Sequence, residues 1–341
     1  MELTNVMDRA GMFRVRTEKW AAQAEQDTRA WVRRSNLVRS APAGRHFDSI
    51  TVGRLAARVY AGADTDRRSA LADWLSWLFL FDDQVDEGEA GKRPERLAAL
   101  LDSMLHPTHG ESDACDNPLA IALRELWSRI QPQMPAAWCR RFTTHLAEYF
   151  QGCHWEAANR VARRVPSPVV FPAMRRAAGA VIPSLDLIEF AGGYVLPPQV
   201  SFHPLYLDLL HAAGDVICWT DDLFTVDKEL ARGDVHNLVI VLLRHERCSL
   251  DRASKRVQGL LEQRLDAFLD AQQQLTASMR SLDITHAEKA QVRRWLGGLR
   301  AWMRGHLDWG LETARYHEVE ITTAPDAAPT YLENLLEVGA R

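Results

Sequence analysis

RRSALADWLSWLFLFDDQVD, residues 67–86, runs an almost unbroken apolar stretch into a knot of acids. From Trp74 to Phe81 only Ser76 is polar. Apolar side chains all round the 3.6-residue period predict a helix buried on every face. Asp82 and Asp86 are four residues apart, so they share one face, one turn apart. Asp83 lies about 100° round from Asp82. Acids at the end of a buried helix are costly without a cation, and they oppose the helix dipole. A divalent ion answers both costs, and carboxylate oxygens suit Mg²⁺ or Mn²⁺. A solvated helix end marked by acids is the plainer alternative.

A second acidic stretch, DDLFTVDKE, spans residues 221–229 and follows the largely apolar LHAAGDVICW. Asp221, Thr225 and Glu229 step by four and four, which puts them on one helical stripe roughly 12 Å long. Two carboxylates and a hydroxyl offer oxygen ligands only, and the longer Glu side chain lets the stripe converge on one ion. Lys228 and Arg232 set positive charge beside them. An amphipathic helix laced by i,i+4 salt bridges would look similar.

Outward from these two stretches the pattern stays helical. PLAIALRELWSRI and AWCRRFTTHLAEYFQGCHWEAANRVARR repeat apolar residues at three- and four-residue spacing. Breakers fall between such segments, at Pro107–Asp116, Pro132–Pro135, Pro166–Pro168 and Pro197–Pro198. Strand-like alternation is scarce, and no internal repeat or low-complexity tract occurs. The expectation is one all-α domain over residues 1–341, of roughly ten or more helices, with 1–12 and 317–341 as loosely held ends. TTAPDAAP reads as a loop before a last short helix.

Composition excludes several classes. The 341 residues are 47% apolar and 25% charged, ordinary for a globular chain. A net charge of −4 gives no electrostatic reason to expect nucleic acid. Five cysteines without a CxxC pair argue against a disulfide framework or a zinc ribbon. The first twenty residues lack a signal-peptide core, and no 18-residue apolar run appears. A cytoplasmic protein without membrane insertion is the expectation.

Taken together, the two acidic motifs resemble those of bacterial class I terpene synthases, most closely sesquiterpene cyclases of the pentalenene synthase type. The resemblance covers about Phe13 to Tyr316. DDQVD looks like the family's aspartate-rich motif. Asp221, Thr225 and Glu229 look like its second metal motif, about 140 residues further on. That likeness implies a helical bundle around a central cavity, with three Mg²⁺ ions and Mn²⁺ as a substitute. The implied metal ligands are Asp82, Asp83, Asp86, Asp221, Thr225 and Glu229. Arg160, Arg175, Lys228, Arg232, Arg315 and Tyr316 match diphosphate-binding positions. Arg175 matches the diphosphate sensor, and the helix break would be Ala178–Ala180 with the effector carbonyl on Gly179. Two departures stand out: Ala178 where many relatives have Thr or Asp, and Asp221 where Asn is commoner.

The implied reaction is Mg²⁺-dependent ionisation and cyclisation of a linear isoprenyl diphosphate. Farnesyl diphosphate is the expected substrate, geranylgeranyl diphosphate the alternative, and the protein a monomer or homodimer. A carbocation needs a dry, π-rich cavity. Tyr60, Trp77, Phe79, Trp219 and Trp309 are candidate wall residues, although any one of them could equally fill the core. His203, His236 and His306 show no ligand-like spacing. Two other readings remain. A chain-elongating isoprenyl diphosphate synthase would carry a second full DDxxD, where this chain has DDLFT. A helical scaffold without catalysis would have no need of two intact ligand sets.

Overall fold

The computed structural model describes residues 2–12, 18–109, 116–316 and 329–337. Among these it has fifteen α-helices, four short 3-10 helices and no strand. The helices are α1 (Glu2–Arg9), α2 (Glu18–Arg34), α3 (Ala41–Ile50), α4 (Val52–Val59), α5 (Arg68–Asp86), α6 (Pro94–His109), α7 (Pro118–Ile130) and α8 (Ala136–Ala162). There follow α9 (Phe171–Ala178), α10 (Val181–Ala191), α11 (Pro198–Ser201), α12 (Pro204–Arg232), α13 (Leu238–Glu246), α14 (Leu250–Ser278) and α15 (His286–Gly310). No described helix is long and apolar enough to cross a membrane.

Local chemistry sets the helix ends. Asn117, Asn237 and Ser249 each accept backbone N–H bonds as N-caps of α7, α13 and α14. Thr285 and Glu288 form a capping box at the start of α15. Pro204 opens α12, and Gly233 closes it with φ 74°, the left-handed position that glycine fills without strain.

α5 is the buried centre of the bundle, as its sequence predicts. Trp74, Trp77 and Phe81 are almost wholly buried. Each large apolar side chain buried this way contributes roughly 1.5–3 kcal/mol. Around α5, the helices α4, α8, α10, α12 and α15 enclose a cavity of about 690 Å³. α9 and α10 are two pieces of one path, parted at Gly179 and Ala180. Ala180 is left-handed, φ 51°, with no side-chain oxygen to cap α10. The break is pressed against α8. A Cβ on Gly152 would lie 2.5 Å from the backbone nitrogen of Ala178, so only glycine allows this approach.

Beyond the 3-10 turn Ala314–Tyr316, residues 317–328 lie outside the described residues. So does most of the TTAPDAAP loop. The expected last short helix is absent among the described residues, since 329–337 form a turn and bends. Here side chains of the body replace helical partners. The Leu335 N–H donates to Gln84 Oε1 at 3.0 Å, and the Glu333 carboxylate accepts from the N–H groups of Arg39 and Ser40. Leu335 and Leu336 are buried.

Candidate active site

One stripe of α5 faces the cavity: Leu75, Leu78, Phe79, Asp82, Asp83 and Asp86. These are steps of three and four along a single helix face. Opposite it, α12 presents Ile217, Cys218, Asp221, Thr225, Lys228, Glu229 and Arg232. The two acidic stretches, far apart in sequence, therefore look into the same space. α8 adds Tyr149, Glu156 and Arg160, and its C-cap adds Arg163. The break contributes Gly179, α15 contributes Trp302 and His306, and the closing 3-10 turn contributes Arg315 and Tyr316.

The first motif divides into unequal members. Asp83 is buried, with one oxygen 3.0 Å from Arg315 and the other 2.9 Å from His46 Nε2. Burial would raise it, but Arg315 and His46 prevail and hold it below the ordinary carboxylate range. Asp83 thus anchors Arg315, as Asp221, whose two oxygens are likewise paired, anchors Arg175 and Tyr316. Asp82 lies 3.4 Å from the same guanidinium and keeps its carboxylate open to the cavity. Its place inside the bundle, then the neighbouring Asp86, push Asp82 upward. Asp86 pairs with Arg160 at 2.7 Å, and Arg160 also reaches Asp234 at 3.2 Å.

The second motif is threaded by Arg175. Its Nη2 lies 2.8 Å from Asp221 and its Nε 2.9 Å from Asp222. Asp222, wholly buried, also accepts the Leu238 N–H. The Tyr316 hydroxyl donates to Asp221 at 2.5 Å, and His306 Nε2 stands 3.8 Å from the same oxygen. Burial opposes ionisation of Asp221, yet Arg175, His306 and Tyr316 hold it below its ordinary value. The Thr225 hydroxyl donates to the Asp221 carbonyl at 3.0 Å. Glu229 has a buried oxygen, Oε2, without a hydrogen-bond partner, and burial followed by Asp222 pushes its carboxyl well up. Lys228 and Arg232 both turn to Glu87, the residue after the first motif; Lys228 Nζ is 3.7 Å away and Arg232 is hydrogen-bonded.

These features fit a divalent cation. Eight acidic and six basic side chains line the cavity, so it is short of positive charge before any anion enters. The orphaned Glu229 oxygen and the upward push on Asp82 and Glu229 express that shortage. Among the described residues no three His, Cys, Asp or Glu side chains converge on one point. An ion here would need oxygens beyond these side chains, and Mg²⁺ commonly completes its shell with water and phosphate.

Away from the acids the lining is apolar: Leu55, Leu75, Leu78, Phe79, Ile217 and Trp302. Of the five aromatics expected at the wall, only Phe79 is there, with the Arg315 guanidinium 4.9 Å from its ring centre. Trp77 is two residues from Phe79, hence on the opposite side of α5, where it stacks on Trp74 and Phe81 and donates to the Leu119 carbonyl. Trp219 is off the Ile217–Asp221 stripe for the same reason and is buried in the core. Tyr60 and Trp309 stand behind the lining. Tyr60 bonds the Ser184 carbonyl and meets Trp302 edge-on, while Trp309 bonds the Ile50 carbonyl and backs Phe79 and Tyr316.

Sequence reasoning did not single out Glu156, Trp302 or Glu87, and it gave no role to His306, which lines the cavity. Glu156 carried a signal, since it lies one turn before Arg160 on α8; burial pushes its carboxyl up to about 7. Trp302 and His306 are likewise one turn apart on α15, a stripe that ends toward Tyr316.

Residues 73–267 match the family model described as terpene synthase family 2, C-terminal metal binding. Over 310 residues the chain is 38% identical to (-)-delta-cadinene synthase of Streptomyces clavuligerus, covering 90% of this chain and 94% of that one. It is 33% identical over 294 residues to a Roseiflexus castenholzii protein named (+)-T-muurolol synthase ((2E,6E)-farnesyl diphosphate cyclizing), covering 86% and 88%. Among solved structures it resembles germacradien-4-ol synthase from Streptomyces citricolor, with a TM-score of 0.79, 28% identity, and coverage of 90% and 97%.

Proposed function

This chain belongs to the bacterial class I terpene synthases, and we propose that it ionises farnesyl diphosphate and cyclises the resulting cation to a sesquiterpene, releasing diphosphate. The observation that carries this reading is the meeting of two acidic motifs across one cavity whose remaining wall is apolar. The substrate follows the Roseiflexus relative, which is named for cyclising that diphosphate.

In this reading Asp82, Asp83, Asp86, Asp221, Thr225 and Glu229 would hold divalent cations, three Mg²⁺ by family likeness. Bound cations neutralise the charge that develops on the departing diphosphate. Arg175, Lys228, Arg232 and Arg315 would grip its oxygens, the arginines by their forked donors. The Tyr316 hydroxyl would add one more donor. Arg160, already shared between Asp86 and Asp234, would set the first motif's far end. Arg175 sits four residues before Gly179 on α9, so a pull on its guanidinium passes along one turn to the helix break. Leu55, Leu75, Leu78 and Ile217 exclude water from the cation, and the faces of Phe79 and Trp302 offer about 0.5–2 kcal/mol each of cation–π stabilisation.

The test is incubation of the purified protein with farnesyl diphosphate and Mg²⁺, measuring diphosphate release and analysing volatiles by gas chromatography with mass detection. Release together with a cyclic C15 product is expected. Absence of release from farnesyl diphosphate, with geranyl and geranylgeranyl diphosphates as parallel substrates, would refute the proposal.

A further inference from the structure

Glu87 is one residue beyond the first acidic motif and has only about a tenth of its side chain exposed. Three donors converge on it. Its Oε1 takes Arg232 and lies 3.7 Å from Lys228 Nζ. Its Oε2 accepts the hydroxyl of Tyr331. Arg232 and Lys228 are the two bases at the end of α12 that the proposed function assigns to diphosphate. Both are held by the protein's own carboxylate.

Tyr331 ties this contact to the C-terminal segment. Its ring lies flat on His46, with centroids 3.6 Å apart and planes within 2°. His46 in turn holds Asp83, the anchor of Arg315. A few residues on, the segment is pinned to Gln84 through the Leu335 N–H and to the start of α3 through Glu333. Residues 329–337 thus lie against the C-terminal end of α5 and against α3, fastened partly through Glu87, which lines the cavity.

We infer that Glu87 is a positioning residue that stands in for the substrate's diphosphate: it holds Lys228 and Arg232 ready in the free protein and yields them when diphosphate arrives. The inference rests on the diphosphate reading of this cavity. A diphosphate oxygen and the Glu87 carboxylate compete for the same two cations, so each weakens the other's grip. The Tyr331 contact links that competition to the C-terminal segment. By reciprocity, diphosphate that displaces Glu87 loosens residues 329–337, and loosening those residues favours diphosphate.

The sign of the outcome separates this role from simple structural support. Inorganic pyrophosphate binding at saturating Mg²⁺ is measured by calorimetry, and amide hydrogen exchange over 330–336 is followed with and without pyrophosphate. Glu87→Gln keeps the shape and removes the competing charge. It is expected to tighten pyrophosphate binding about five- to tenfold, at the low end of typical coupling strengths, and to speed exchange in the segment before ligand is added. In the wild-type protein, pyrophosphate itself is expected to speed that exchange. Tyr331→Phe, which leaves the charge in place but removes one fastening, is expected to shift both readouts the same way by less. Binding that is unchanged or weaker in Glu87→Gln, with wild-type binding intact, overturns the inference alone. A wild-type protein that does not bind pyrophosphate with Mg²⁺ overturns the diphosphate reading and this inference with it. If Glu87→Gln does not fold, Tyr331→Phe decides by the same signs.

Discussion

Glu229 places a carboxylate where the fold gains nothing from it. It is half-buried, its buried Oε2 has no hydrogen-bond partner, and burial, then Asp222, pushes its carboxyl well up. Such a group weakens the folded state unless a cation arrives. Glu229→Ala is therefore expected to lower diphosphate release at least about 100-fold, the scale of losing a main electrostatic contact to the leaving group, while leaving the thermal midpoint unchanged or higher. Melting curves beside the release assay check both halves; wild-type turnover would remove Glu229 from the ligand set. At this scale the shared stripe of Asp221, Thr225 and Glu229 was legible from its helical spacing, and all three line the cavity. Asp83 was not separable from Asp82 in the sequence. What distinguishes them is His46 and Arg315, one 37 residues upstream and the other more than 200 residues downstream, which claim Asp83's oxygens.

Among the elements, α5 was predicted as a buried helix and is one, but its cavity side could not be read from polarity. A helix apolar all round has no wet face to orient it. The orientation was available from the acids themselves: the stripe through Asp82 includes Leu75, Leu78 and Phe79 and excludes Trp77. The helix break depends on another element, α8, whose Gly152 admits the Ala178 backbone. Gly152→Ala is expected to push the break outward, to destabilise the fold by about 1–3 kcal/mol, as overpacking usually does, and to lower turnover. Urea unfolding and steady-state kinetics test this, and a variant equal to wild type in both would show that the contact yields freely. At the other end of the bundle, Thr285→Ala breaks the α15 capping box and should cost about 1 kcal/mol without altering product distribution, since it lies far from the lining residues; a changed product profile would contradict that separation. The non-helical course of 329–337 was hidden, because its partners Gln84, Arg39 and Ser40 are remote in sequence.

For the molecule as a whole, stability should depend on pH through buried acids outside the cavity. Burial pushes Asp73 up to about 7, even though Arg129 lies 2.8 Å away. Glu189 is likewise pushed up to about 7 by burial. In the unfolded chain such carboxyls titrate near about 4. Between those values the folded protein holds protons that the unfolded chain has lost, so this contribution is present below about pH 4 and lost as pH rises through about 7. Asp73→Asn cannot titrate there and should flatten the fall in unfolding free energy between pH 4 and 7. Urea melts across that range measure it; an unchanged slope would show that Asp73 ionises freely in the fold. Neither acid could be picked out in the sequence, where Asp73 begins an apolar run and Glu189 sits within one. Five of the six basic side chains lining the cavity are already matched with carboxylates. A lone phosphate, sulfate or chloride can win such a base only by stranding an acid. A diphosphate accompanied by divalent cations strands none. On the proposed function the cavity would act as a coincidence detector, favouring metal and substrate arriving together over a lone anion.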